Sequence, residues 1–227
     1  GGDKGFNAGH ARVKQLKARF LCTGGIDFSP AAIRDFQKLS GVPGTVLDLF
    51  DRRQYIAFHG HEPPDDWREA TPEDIRRASG YERPHIIFLS APCKGFSGLL
   101  PEARSKSPKY LALNELTLRG MFLVLEAWAD DPPELIVFEN VPRIQTRGRH
   151  LLDQISALLR HYGYAVAETT HDCAQLGHLA QSRKRFLLVA RHTEKVPNFL
   201  YEPIKRPLRN VGDILGRMPM PDTASAG

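Results

Sequence analysis

Four consecutive apolar residues, Ile86, Ile87, Phe88 and Leu89, do most to limit what this chain can become. Pro84 stands just ahead of them, and Ser90, Ala91 and Pro92 end the run at once. A short run rich in β-branched and aromatic residues, punctuated at both ends, reads as a strand buried on both faces. Directly after it come Pro92 and Cys93, then Gly95 and Gly98 around Phe96 and Ser97. A cysteine on a glycine-flanked loop at the carboxyl end of such a strand sits where open α/β sheets place ligand chemistry. Free cysteine also serves as a small, inert apolar plug. The stretch alone leaves both readings open.

The rest of the chain repeats the strand pattern with helices between. Residues 18–26 contain Phe20, Leu21 and Cys22 and lead to Asp27, which reads as a strand ending in an acid. Ser29 as N-cap and Pro30 at the first helical position open a helix to Leu39. Thr45, Val46 and Leu47 form a second strand that ends at Asp48. Residues 51–82 are polar, with Pro63 and Pro64 marking a loop. Thr71 to Asp74 has the capping-box spacing for a short helix over 75–78. Residues 98–110, with Arg104, Lys106 and Lys109, read as a mobile basic loop.

Leu118, Met121, Phe122, Leu125 and Trp128 fall on one face of an amphipathic helix over 111–129. Leu135, Ile136, Val137 and Phe138 form another buried strand, which runs into Glu139, Asn140, Val141 and Pro142. A helix over 150–160, a strand over 164–169 and a last strand over 186–189 complete the pattern. At the start, a glycine-rich opening (residues 1–9) passes into a basic segment to Lys17 that reads as helical. The glycine loop is a weak ligand cradle, because no strand precedes it. Strands alternating with helices imply an α/β fold with a doubly wound, mostly parallel sheet.

With 227 residues, the chain has room for one α/β domain with a sizeable core or two small ones. Charged residues make up 25% and apolar ones 41%, which argues against a disordered chain. The net charge of +5 mildly favours a polyanionic partner. Three cysteines without C-x-x-C spacing argue against a disulfide framework or a zinc site. No metal and no membrane association is expected, and the protein should be cytoplasmic.

In a parallel sheet the strand ends share one rim, so Asp27, Asp48, Cys93 and Glu139 converge. An isolated aspartate after a strand is usually a turn former, but four such positions together are hard to explain structurally. A thiolate beside a carboxylic acid suits attack on an electron-poor ring with proton donation to it. Arg183 and Arg185 alternate before a strand and could bind a phosphate or a carbonyl oxygen. They could equally be a solvated basic edge.

The runs A-P-C-K-G-F-S-G, F-E-N-V-P and A-Q-S-R-K-R, in this order, resemble the DNA cytosine-5 methyltransferase family over roughly residues 1–191. The resemblance implies a Rossmann-like class I methyltransferase core with S-adenosylmethionine as cofactor. It makes Cys93 the nucleophile that adds to carbon 6 of a cytosine flipped out of double-stranded DNA. Glu139 would hold and protonate ring nitrogen 3. Arg185 would meet the carbonyl oxygen, supported by Arg183, with Gln181, Asn140 and Ser97 on the substrate side. On the donor side it implies Gly1, Gly2, Gly5 and Phe6 in the glycine loop, Asp27 on the ribose, Phe28 on adenine, Asp48 on the adenine amino group and Pro92 lining the pocket.

Lys94 stands where many members carry glutamine, a change expected to be tolerated. The family's first strand is expected to be missing, and residues 196–227 to open a connection toward an absent target-recognition region, leaving 1–195 as the catalytic core. The chain is thus read as a core cut at both ends, monomeric and of prokaryotic or phage origin, weakly active or inactive alone. Two alternatives stay open: a transfer-RNA methyltransferase of the same family and a non-catalytic nucleic-acid-binding relative. A cysteine hydrolase using His85, His171 or His178 is a poorer third.

Overall fold

The computed structural model describes residues 11–13, 15–90, 107–199 and 203–216. Its strands are β1 (Ala11–Val13), β2 (Leu16–Ala18), β3 (Gly25–Asp27), β4 (Gly44–Val46), β5 (Ile86–Leu89), β6 (Leu135–Asn140), β7 (Tyr164–Asp172) and β8 (Lys184–His192). Its helices are α1 (Pro30–Ser40), α2 (Arg52–His59), α3 (Pro72–Ala78), α4 (Pro108–Ala127), α5 (Ile144–Arg147), α6 (Arg149–His161), α7 (Cys173–Gly177) and α8 (Val211–Leu215). The class is α/β, as the alternation of strands and helices requires.

The strands form three sheets among the described residues. β1 and β2 are an antiparallel pair, β3 and β4 a parallel pair, and the third sheet has the order β5-β6-β8-β7. In the third sheet β5 runs parallel to β6, while β8 runs antiparallel to both β6 and β7. Only residues 173–183 join β7 to β8, too few for the crossover a parallel pair needs, so the edge of the sheet turns back on itself.

The small parallel pair is built on close approach. Gly25 and Gly44 face each other in register, and a Cβ on Gly25 would lie 2.8 Å from the ring of Phe36 in α1. Glycine therefore lets α1 lie flat on the ladder, through Ile33 and Phe36. Ser29 caps α1 by accepting from the Ala32 N–H at 3.4 Å, and Gly41 in the left-handed region ends it.

The main core lies under the third sheet. Ile136 and Phe138 of β6 and Phe186, Leu188 and Ala190 of β8 bury one face against Met121 and Leu125 of α4 and Leu152, Ile155 and Leu159 of α6. Alternate burial along β6 and β8 shows that each strand buries one side only. A second cluster joins Ile75 of α3 to Leu123, Val124 and Ala127 of α4 and to Trp128 just past its end. Arg119 of α4 also donates to the carbonyls of Leu49 and Ala70 at 2.9 and 3.1 Å, tying the helix to the segment after β4.

Several expectations need correction. The basic segment to Lys17 is not helical, because Ala11, Val13, Leu16 and Ala18 alternate with basic residues at the period of a strand. The strand expected over 18–26 shrinks to Gly25–Asp27. The polar stretch before Thr71, where no helix was expected, contains α2, whose Asp51 and Gln54 cap each other reciprocally. β5 is not buried on both faces, since Phe88 is 42% exposed beside the cleft described below. Finally, α4 does not carry one apolar stripe. Phe122 is 42% exposed, and the helix serves two clusters from two sides.

Candidate active site

Register alone assembles the centre of the site. The parallel ladder pairs Leu89 with Phe138, so the next step sets Ser90 beside Glu139. The antiparallel ladder pairs Glu139 with Leu187, which makes Arg185 its diagonal neighbour on the same face. The side chains meet accordingly. Arg185 Nε lies 2.7 Å from Glu139 Oε1, and Ser90 Oγ donates to Glu139 Oε2 at 2.8 Å. Glu139 and Arg185 are each about three-quarters buried, which lowers the screening on the pair.

The loop that carries the basic residues hangs on Asp172. This carboxylate accepts from the backbone N–H of Arg183 at 3.0 Å, the hydroxyl of Ser182 at 2.7 Å and the N–H of Ala174 at 2.9 Å. Those bonds, led by the Arg183 N–H, hold its carboxyl below the usual range. Cys173 N–H closes the loop onto the Arg183 carbonyl at 2.9 Å. Gln181 and Arg183 themselves are exposed. Asn140 is buried at 3% exposure. Its Oδ1 accepts from the Val141 N–H, and its Nδ2 has no acceptor among the described residues.

A cleft of about 420 Å³ runs between the β3–β4 pair and β5. Its lining includes Asp27, Phe28 and Asp48 at one side and Ile86, Phe88 and Ser90 at the other. Asp27 Oδ1 accepts from the Ser29 N–H at 2.8 Å, and Asp48 Oδ1 from the Phe50 N–H at 2.9 Å. Trp67 donates its ring N–H to Asp48 Oδ2 at 3.4 Å. Both carboxylates are thus oriented by their own turns. Phe28 is 69% exposed, an apolar ring at a cleft wall with no cover.

The structure brings together Glu139 and Arg185, and separately Asp27, Phe28 and Asp48. Gly1, Gly2, Gly5, Phe6, Pro92, Cys93 and Ser97 lie outside the described residues. Sequence reasoning missed Ser90 and Asp172, because each acts through register and tertiary closure rather than a motif. It also missed the aromatic wall of Phe50, Phe58 and His59, although the D-x-x-Q cap of α2 was there to be read. Among the described residues no group of three or more His, Cys, Asp or Glu could hold a metal ion, and no helix is long and apolar enough to cross a membrane.

The chain was compared with known proteins. The family model of the C-5 cytosine-specific DNA methylases matches residues 53–225. No match was found among curated proteins. The fold is similar to the Entamoeba histolytica methyltransferase EhMeth, with 15% identity and a TM-score of 0.58, over 91% of this chain and 54% of that one. It is also similar to the S. pombe Dnmt2 methyltransferase, with 18% identity and a TM-score of 0.50, over 90% of this chain and 50% of that one. The chain therefore spans about half the length of these structures. The family's sequence pattern covers most of the chain, over an α/β core of methyltransferase type, and on that match the chain belongs to the C-5 cytosine-specific DNA methylase family.

Proposed function

We propose that the chain is the catalytic core of an enzyme that methylates carbon 5 of cytosine in DNA, with S-adenosylmethionine as donor. The observation that carries this reading is the Glu139–Arg185 pair of β6 and β8, set beside Ser90 at the end of β5, which lines the 420 Å³ cleft. The cleft suits a nucleoside. Carboxylates can accept from ribose hydroxyls at Asp27 and from an adenine amino group at Asp48, and the exposed Phe28 ring offers a stacking face. When bound there, the donor supplies an electrophilic methyl group.

The chain's own residues then divide the work. Cys93, three residues after Ser90, adds its thiolate to carbon 6, forming an S–C bond. Glu139 gives a proton to ring nitrogen 3, so the electron pair from the broken double bond is shared between carbon 5 and a neutral ring. Arg185 steadies the carbonyl oxygen. After methylation, the carbon 5 proton leaves to water and the nitrogen 3 proton returns to Glu139, which restores the double bond and expels Cys93 as a thiolate. The cytosine must leave the helical stack to reach this rim. Arg183 and the basic residues Arg104, Lys106 and Lys109 supply phosphate contacts. Residues 1–195 form the core in this reading.

The test uses full-length polypeptide, labelled donor, and duplex DNA or transfer RNA carrying 5-fluorocytosine. A covalent adduct on Cys93 with DNA is the expected result. An adduct on another residue overturns the mechanism, and transfer only to RNA overturns the substrate.

A further inference from the structure

Glu139 is held by two different kinds of partner. Arg185 can only donate, because a guanidinium carries five N–H groups and no acceptor. Ser90 carries a hydroxyl that can donate or accept, and its Oγ lies 2.8 Å from Oε2. When Glu139 is a carboxylate, both partners donate and both oxygens are satisfied. When Glu139 is a carboxylic acid, its proton must sit on one oxygen. On Oε1 it would face the Arg185 N–H, 2.7 Å away, donor against donor. On Oε2 it meets an oxygen that can turn and accept it.

We propose that Ser90 is a positioning residue that places the Glu139 proton on Oε2 and keeps Glu139 hydrogen-bonded in both of its protonation states. The proposal rests on the reading of Glu139 as the acid that protonates the base. Before transfer, the Oε2 proton lies in a hydrogen bond to Ser90 Oγ. On transfer, the O–H bond at Oε2 breaks and an N–H bond forms on the ring. The Ser90 hydroxyl then rotates and donates to the new carboxylate. Return of the proton reverses each step, so nothing is consumed.

Two independent features point to the same residue. Ladder register makes Ser90 the side chain beside Glu139, since Leu89 pairs with Phe138 one step earlier. Ser90 also lines the cleft that holds Asp27 and Asp48, so it touches both parts of the site. Its exposure leaves the hydroxyl free to rotate, as a group that alternates its role must.

The experiment compares single-turnover methyl transfer by full-length wild type, Ser90→Ala, Ser90→Thr, Glu139→Gln and the Ser90→Ala/Glu139→Gln double variant, with rates of 5-fluorocytosine adduct formation alongside. Ser90→Ala should slow transfer about 10- to 100-fold, the worth of one hydrogen bond to a charged group, with donor and DNA affinities changed less than about 2-fold. Ser90→Thr keeps the hydroxyl and should recover to within about 3-fold of wild type. In the Glu139→Gln background, Ser90→Ala should cost almost nothing further, because both changes remove one function. Full additivity, failure of threonine to rescue, or a Ser90→Ala rate equal to wild type overturns the proposal. Absence of any adduct in wild type is a different failure, which removes the reading of Glu139 and this inference with it.

Discussion

The two sides of the cleft are built to different standards. On the side proposed to take the base, called the base side, β6 and β8 pair over six residues each and bury Ile136, Phe138, Phe186 and Leu188 completely. On the side proposed to hold the donor, called the donor side, β3 and β4 are three residues long, and Phe28, Leu39 and Val46 are half exposed or more. The carboxylates of the donor side are set by their own turns, whereas Glu139 is set by strands on both flanks. In the proposed function a base-side group has to meet a ring atom at hydrogen-bond range, and a packed sheet provides that. A donor side that only has to bind can be thinner and rely on ion pairs and caps for order.

The largest break in this comparison should come from Glu139→Gln. It should slow the chemical step about 100- to 10,000-fold, the range of a positioned acid–base group, and leave donor affinity unchanged by calorimetry. Asp48→Ala should do the converse. An equal loss of donor affinity in both variants would mean that the two sides are not separable.

Core truncation comes next. Phe138→Ala should cost about 3–5 kcal/mol in denaturant unfolding, because a fully buried ring leaves a cavity. Phe28→Ala, at an exposed ring, should cost less than about 0.5 kcal/mol while weakening donor binding. Similar stability losses would erase the contrast between the halves.

A smaller effect belongs to Asp74, which is 3% exposed at the start of α3. It accepts from Arg68 through both oxygens at 2.6 and 2.7 Å and from the Thr71 N–H at 2.9 Å, and Arg68 holds its carboxyl well below the usual range. Asp74→Ala should cost about 2 kcal/mol, from a lost cap and a lost forked ion pair. Hydrogen exchange should rise mainly on the donor side. Uniform loosening of both sides would contradict the division.

The smallest effect is a pH dependence at the foot of the base side. Arg83 donates to both oxygens of Glu134 at 2.8 and 2.9 Å and holds its carboxyl at about 2, against the usual 4.5. A depressed folded value means that the contribution is full above pH about 4.5 and fades as pH falls toward 2. The gap in melting temperature between wild type and Glu134→Gln, worth about 1 kcal/mol after screening, should therefore start to narrow below about pH 4.5 and close near pH 2. A gap that widens on acidification would reverse the sign.

What could be read from sequence follows the same division. β5, β6, α4 and α6 were legible because their apolar runs or 3.6-residue periods are strong and local. On the donor side, Phe20, Leu21 and Cys22 look like a strand, yet only Gly25–Asp27 pairs, since the ladder depends on two glycines admitting Phe36. β7 and β8 were legible as strands but not in direction. Asp27 and Asp48 follow from strand ends and Phe28 from the family resemblance, and all three line one cleft. Ser90 and Asp172 could not be found that way. A serine after a strand and an aspartate before a turn are ordinary until register shows what stands beside them.

The reversed direction of β8 has a consequence for how this protein can be altered. Every other strand at the rim offers its last residue, but β8 offers its first, so Arg185 reaches Glu139 without any crossover behind it. Its aim then depends only on counting along β8. One residue gained or lost inside β8 would turn Arg185 to the opposite face and present a neighbour instead. Residues gained between Gly177 and Gln181 would only lengthen a loop whose two ends Asp172 already holds together. Such a loop is a natural place to splice in a reporter or a second binding module, within a few residues of the chemistry yet without moving it.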